Sequence, residues 1–397
     1  MVDYIRSHYK RATFFIIAML CAAGLSAGAF VAVKTLASER EEEATLSITN
    51  ARAALDSGDI AAAGLTLIQC IDTYSETEAK FEAYEMLEDL RKRLSAGEVP
   101  VEVMLEFEAK LPAVKDLKSA EAQHILHLFF LNKANLLGKI GMTDLARDLV
   151  QSSGDSVLET LYACPDSAWH IGMLPIVFEN AVKYAPEYAE SYAKALEEFT
   201  AATEPCMASF CARYALTGYY LHEGIDREAA ESHMEVMLDA TSSQIVKAAL
   251  ADPYLKDSEK ACLLWAEGYA AFEMGRTEEA LGVFHMISAQ YPTAGREKEW
   301  ADITIPAAYK RLYPKDLSIA EAAYQDYLTT HDGHEYAQWA LLELGNMAVE
   351  TERFDEAASY FSQVESEFPS SAAARMASAG RVKSITLKTL KSGAGTD

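Results

Sequence analysis

The stretch Cys262 to Pro292, CLLWAEGYAAFEMGRTEEALGVFHMISAQYP, constrains this chain more than any other. Apolar residues recur at Leu264, Gly268, Ala271 and Phe272, and again at Ala280, Phe284 and Ile287, which is helical spacing on both sides of a break. The break is Met274-Gly275-Arg276-Thr277. Gly275 supplies the positive φ that ends one helix, and Thr277 is placed to cap the next, with Glu278 and Glu279 in its first turn. Gly268 and Ala280 leave room for the two helices to approach closely. Pro292 ends the unit because a helix cannot continue through it. Neither helix buries its apolar stripe alone, so the unit needs neighbours of the same kind.

A second copy has Leu341, Leu344, Gly345 and Ala348, then Phe354, Ala357, Phe361, Val364 and Pro369. A weaker unit lies between them, with Ala320, Tyr324 and Tyr327 at second-helix positions, and Pro306 and Pro314 are expected to disturb its first helix. Upstream, the same order of small and apolar residues runs through Ala51, Ala54, Gly58, Ala63, Leu67 and Cys70. It returns at Phe130, Ala134, Leu137, Gly141, Ala146 and Val150, and at Tyr214, Gly218, Leu221, Gly224, Ala230 and Met234. Residues 155–203 read as helices without a repeat signature, broken near Pro165 and Pro186. This order and spacing resembles the tetratricopeptide repeat, a helix–turn–helix of roughly 34 residues. The resemblance implies an all-α solenoid of antiparallel helix pairs, and a length of 397 residues suits stacking better than one compact core.

Ala12 to Val33 carries no charge, and its 22 residues would span roughly 33 Å as a helix, enough for a bilayer core. Arg6, Lys10 and Arg11 precede it, and Glu39, Arg40, Glu41, Glu42 and Glu43 follow, which places the N-terminus on the cytoplasmic side. A signal peptide cut after Ala27-Gly28-Ala29 is the alternative, but the apolar run continues to Val33. Gly24, Gly28 and Ala32 at four-residue steps form a small-residue face on which two membrane helices could pack. The expected organisation is a tail at 1–11, a transmembrane helix at 12–36, a charged linker at 37–45 and degenerate repeats at 46–205. Clearer repeats follow at 206–369, then a capping helix at 370–391 and a disordered tail at 392–397. The capping helix is basic through Arg375, Arg381, Lys383, Lys388 and Lys391. Its cations suit a helix C-terminus, or a tether to acidic protein or lipid.

The net charge of −25 divides into +3 over residues 1–36 and −28 over the rest, so nucleic acid is a poor partner. Cys206 and Cys211 are five apart, about 140° around an unbroken helix. A disulfide there needs Cys206 to precede the helix, or Cys164 to supply the partner. Glu121, His124 and His127 share a helix flank, and His331-Asp332-Gly333-His334-Glu335 reads as a turn between repeats. No phosphate loop, paired-cysteine zinc spacing or His-Glu-x-x-His occurs. The chain reads as a non-enzyme, with no cofactor and no metal.

What remains is a surface. In tetratricopeptide repeats the first helix of each pair lines a concave groove that takes partner segments. By position, the resemblance places Trp265, Tyr269, Phe272 and Glu273 there, then Tyr309 and Tyr313, then Trp339, Asn346 and Glu350. Members of the family that clamp a C-terminal carboxylate use lysine and arginine in the groove. None is expected here, so apolar or basic protein segments are the implied partners. The Phe354–Ala377 signature is also similar to bacterial envelope repeat proteins: outer-membrane assembly lipoproteins, periplasmic cell-wall coordinators and the membrane-anchored ancillary subunit of the translocon. That similarity implies a scaffold or adaptor anchored in the bacterial inner membrane with its bulk in the periplasm, or an obligate subunit of a larger envelope complex.

Overall fold

The computed structural model describes residues 27–74, 77, 79–95, 117, 119–253, 255–331 and 334–393. Seventeen α-helices and no strand occur among the described residues, and the chain divides into two compact units, 1–259 and 260–397. Each unit is all-α among the described residues, with helices that pack on their neighbours in sequence.

In the first unit the helices are α1 (Ala27–Asp56), α2 (Ile60–Thr73), α3 (Ala79–Ser95), α4 (Ala120–Lys139) and α5 (Thr143–Ala163). They continue with α6 (His170–Tyr184), α7 (Pro186–Ala202), α8 (Met207–Leu221), α9 (Arg227–Met237) and α10 (Ala240–Leu250). Sequential helices pack in pairs, α1 on α2 and α4 on α5. Asp59 and Asp226 cap α2 and α9 by accepting from the backbone N–H of Ala62 and Ala229 at 2.9 and 3.0 Å. α8 packs back on both α6 and α7, which ties residues 206–259 to the first unit.

The expected linker at 37–45 does not exist as one. α1 runs unbroken from Ala27 to Asp56. From Ala44 onward its inner face belongs to the first core, with Ile48 and Ala51. Its acidic residues are used rather than merely solvated: Glu41 accepts from the Ala79 N–H at 2.9 Å, and the Tyr74 hydroxyl donates to Glu43 at 3.4 Å. Of the expected membrane segment, residues 12–26 lie outside the described residues, as do the tails at 1–11 and 394–397. Among the described residues no helix is long and apolar enough to cross a membrane.

The second unit is built from α11 (Asp257–Glu273, entering it at Lys260), α12 (Thr277–Gln290), α13 (Arg296–Leu312) and α14 (Ser318–Thr330). It closes with α15 (Ala337–Glu350), α16 (Phe354–Glu367) and α17 (Ala372–Gly393). One steric device recurs. A Cβ on Gly268 would stand 2.8 Å from the Phe284 ring, and one on Gly345 would stand 2.5 Å from the Phe361 ring. In these two pairs the first helix thus presents bare backbone to an aromatic ring of the second. The middle pair uses Ala308 and Tyr324 at these positions, both buried.

The turns also repeat. Gly275 has φ +77°, and the Arg276 N–H reaches back to the Ala271 carbonyl at 2.8 Å. The α15–α16 turn closes in the same way, Arg353 N–H to Ala348 carbonyl at 2.7 Å, but the residue with φ +62° is Glu352. Thr277 does not cap α12: Arg276 holds the cap position without a side-chain bond, and Thr277 is already helical. Pro306 does not disturb its helix, since α13 runs through it to Leu312. A single proline forfeits one backbone bond, and burial of Ala301, Pro306 and Ala308 offsets that loss. The cap α17 packs on α16 and reaches it through Arg381 on Glu365 at 2.8 Å and Lys388 on Asp355 at 2.5 Å, and reaches the α15–α16 turn through Lys391 on Glu352. Three of the five cations expected on this helix thus have carboxylate partners within the chain.

Candidate functional site

The residues expected to line a groove fall into two classes. Trp265 and Phe272 are core, each 8% exposed. The Trp265 ring meets Tyr269 at 5.7 Å, Phe284 at 5.4 Å and Trp300 at 5.4 Å. A first helix in a stack touches its own partner helix and also the first helix of the next pair. Its buried arc is therefore wider than one stripe, and Trp265 fills the seam between α11 and α13. Phe272 lies against Phe284 at 6.3 Å, with the Arg311 guanidinium 3.6 Å over its ring. Tyr269 and Glu273 are half-buried beside them.

The other class faces outward. Tyr313 is 46% and Trp339 37% exposed. Tyr309 is half-buried, its hydroxyl 3.0 Å from His285 Nε2. Asn346 donates to Glu343 at 3.0 Å, and Glu350 accepts from Lys310 at 2.9 Å. Lys310 also reaches Glu343 at 3.2 Å, bridging α13 to α15. Burial pulls the Lys310 ammonium down, but the hydrogen bonds and charges of Glu350 and Glu343 outweigh it and hold the pKa above the ordinary lysine value. Arg311 donates to the Phe272 carbonyl at 2.6 Å. The expectation of a surface free of lysine and arginine is thus wrong. Lys310 and Arg311 stand among the acidic and aromatic residues, and both are engaged within the fold.

Lys310, Arg311 and Glu343 were missed because their roles depend on register between neighbouring pairs. Glu343, Asn346 and Glu350 do share one helical face by spacing, i, i+3 and i+7, which is a usable signal. Nothing local marks Lys310 as their partner.

The membrane-helix residues are not reached by this description. Gly24 lies outside the described residues, and Gly28 and Ala32 fall in the part of α1 whose side chains are not described. Among the described residues no disulfide joins the cysteines, Cys164, Cys206 and Cys211 included. Cys206 does precede its helix, as its pairing required, and its N–H donates to the Ser209 hydroxyl at 3.0 Å.

The histidines divide by unit. His127 and His170 are buried in the first. His170 Nε2 lies 3.0 Å from the Cys164 carbonyl, whereas neither ring nitrogen of His127 has a hydrogen-bond partner among the described residues. Burial pulls both down to about 4. His124, against Trp169 at 5.6 Å, is pulled to about 3 by burial and then by the neighbouring His127 and His170. In the second unit His331 and His334 hold Asp302 and Glu299 at 3.2 Å each. Among the described residues no cluster of three or more histidine, cysteine or carboxylate side chains is arranged to hold a metal.

Helix pairs with a glycine under an aromatic ring, closed by a left-handed turn and stacked through their first helices, define a helical-repeat protein of the helix–turn–helix type. A family model described as tetratricopeptide repeat matches residues 263–294 and 339–371, and those segments are tetratricopeptide repeats. No curated protein matches the chain. A solved structure of a Rap protein complexed with competence and sporulation factor is similar over 88% of this chain and 98% of that one. The identity is 14% and the TM-score 0.37.

Proposed function

We propose that this chain is a scaffold or adaptor that binds protein partners in the bacterial cell envelope, anchored in the inner membrane by the apolar stretch from Ala12 to Val33. Its N-terminus is cytoplasmic and its repeats are periplasmic. The observation that carries the binding role is the exposure of Tyr313 and Trp339, aromatic side chains left outward on a repeat framework whose other large rings nearby are buried or half-buried. Exposed tryptophan and tyrosine are favoured contact residues. Glu343, Asn346 and Glu350 stand on the same helix as Trp339, the two acids paired with Lys310, and a partner segment with a basic flank would compete with that lysine for them. The remaining expected contacts, Tyr269, Glu273 and Tyr309, contribute at their half-exposed edges. No catalytic role, cofactor or nucleic acid belongs to this reading.

The test is capture of partners from detergent-solubilised envelopes with the full chain and with Tyr313→Ala/Trp339→Ala. The double variant loses partners that the unaltered chain retains. Equal capture by both sinks this surface as the binding face. For the anchor, the protein resists alkaline extraction and keeps residues 1–29 in its intact mass.

A second reading is an obligate subunit of a larger complex. The outward side of α17 favours it: Met376, Val382, Ile385 and Leu390 are all at least half exposed where the stack ends. Purification in mild detergent separates the two, since an adaptor comes off alone and a subunit brings partners in fixed ratio.

A further inference from the structure

The first unit holds a lysine in a setting that helix packing does not require. Lys256 lies in the connection between α10 and α11, and its Nζ sits 3.1 Å from the centroid of the Tyr84 ring on α3. A lysine on a connector ordinarily keeps its ammonium in water. This one is held over an aromatic face instead, where the ring's negative quadrupole attracts a cation. Tyr84 is backed by Trp169 at 5.2 Å, and Trp169 by His124 at 5.6 Å, so the ring is supported from behind rather than mobile. Glu259, Glu85 and Glu88 supply the surrounding negative charge, Glu88 while also held by Arg91 at 2.8 Å, and Lys80 opposes them in the same direction as burial. Leu255, beside the lysine, is buried.

Burial lowers the Lys256 ammonium to about 8, against the pull of those three carboxylates. The occupant is therefore not ideally solvated where it sits. The receptor side also has capacity to spare. Glu259 Oε2 is enclosed and has no hydrogen-bond partner among the described residues. Burial raises the Glu259 carboxyl, and Lys256 offsets only part of that rise. An aromatic floor, flanking carboxylates and an unused acceptor are what a cation-reading site needs, and Lys256 uses only part of it.

We propose that Tyr84, Trp169 and the carboxylates Glu85, Glu88 and Glu259 form a recognition site for a partner segment carrying a lysine beside an apolar residue. The chain's own Leu255-Lys256 occupies it in the unbound protein. This inference rests on the reading of the chain as a protein-binding scaffold, but it concerns the first unit and not the Tyr313–Trp339 surface. Partner engagement then requires release of the internal lysine, so the site is self-masked. A partner lysine competes with a tethered one, and affinity rises when the tethered one is removed.

The experiment uses the full chain in detergent and a fluorescently labelled, C-terminally amidated peptide copying residues 250–256, read by anisotropy. Lys256→Ala binds the peptide at least tenfold tighter than the unaltered chain. Adding Tyr84→Ala to that variant abolishes the gain, and adding Tyr84→Phe, which keeps the ring face, preserves it. A peptide with alanine in place of its lysine does not bind. Lys256→Gln serves as a second unmasked form should the alanine variant melt early, and helical circular dichroism confirms that each variant is folded. The inference is overturned if neither unmasked form binds more tightly than the unaltered chain, or if Tyr84→Ala leaves binding unchanged. Failure here with the Tyr313/Trp339 capture result intact removes only this site. Failure of both removes the scaffold reading.

Discussion

The two units solve one packing problem with different chemistry. The second unit stacks mostly apolar side chains: Phe284 and Phe361 under glycine backbone, Ala280, Ala320 and Ala357 at the crossings, Tyr324 and Tyr327 as its buried phenols, and His331 and His334 at carboxylates outside the core. The first places His127 and His170 inside, holds Asn180 and Ser153 buried, and leaves several of these polar atoms without a hydrogen bond among the described residues. Burying a polar atom without a partner costs roughly 1–3 kcal/mol. A repeat with a clean signature is thus one in which packing alone dictates each residue. A degenerate one has kept polar groups in the interior, and its sequence loses the pattern for that reason.

The comparison breaks most easily at the aromatic seams of the second unit. Phe284→Ala and Phe361→Ala, fully buried, each cost about 3–5 kcal/mol in denaturant unfolding. Trp265→Ala falls in the same range despite its expected place on a binding face, because it fills the α11–α13 seam. A tryptophan variant that melts like the unaltered protein would mean that the ring is not core and that the assignment of the seam fails.

Acid should separate the units next. A histidine whose folded pKa is depressed takes up its proton more readily in the unfolded chain. The stability that His127 and His170 contribute as neutral side chains is therefore complete above about pH 6.5 and drains away as pH falls toward 4. At pH 5 the loss is about 2 kcal/mol for each of the two. Hydrogen exchange at pH 7 and pH 5 reports the units separately, after correction for the intrinsic pH dependence of exchange. Protection falls in α4 and α6 and holds in α12 and α16. Equal loss in both units would remove the contrast.

Two smaller tests sharpen it. Gly345→Ala forces a methyl to within 2.5 Å of the Phe361 ring and costs about 1–3 kcal/mol by thermal melt. Gly58→Ala in the first unit meets no neighbouring atom, so its cost is the left-handed backbone alone, about 1 kcal/mol. Smallest of all, Glu352→Gly relieves the same backbone conformation in the second unit but gives up the ion pair with Lys391. The net change is a gain below about 1 kcal/mol, checked by chemical denaturation.

Much of this fold was legible because spacing carries it. Gly275 announced its turn, Gly268 its close approach, and Ala320, Tyr324 and Tyr327 their burial, each from local order alone. Glu352 hid an identical turn, since a residue other than glycine at positive φ gives no warning in the sequence. The stretch ASEREEEAT looked like a connector because charge was read without its partners. Its glutamates are helical and reach α2 and α3. The candidate site was less legible than the fold. A single helical face predicts one neighbour, whereas Trp265 has two and Lys310 joins two helices of different pairs. Contacts between pairs depend on the stacking register, which no window of consecutive residues contains.

The unbroken course of α1 has one more consequence. Ala27–Val33, the end of the apolar stretch, and Ala44–Ala51, part of the first core, belong to a single helical rod. The rod behaves as a keyed shaft. Each residue added or removed between Ala37 and Glu43 turns the N-terminal part by about 100° relative to the core and shifts it by about 1.5 Å. Whatever the apolar segment packs against is thereby given a fixed bearing on the repeats, and an insertion that leaves every repeat intact would still point them in another direction.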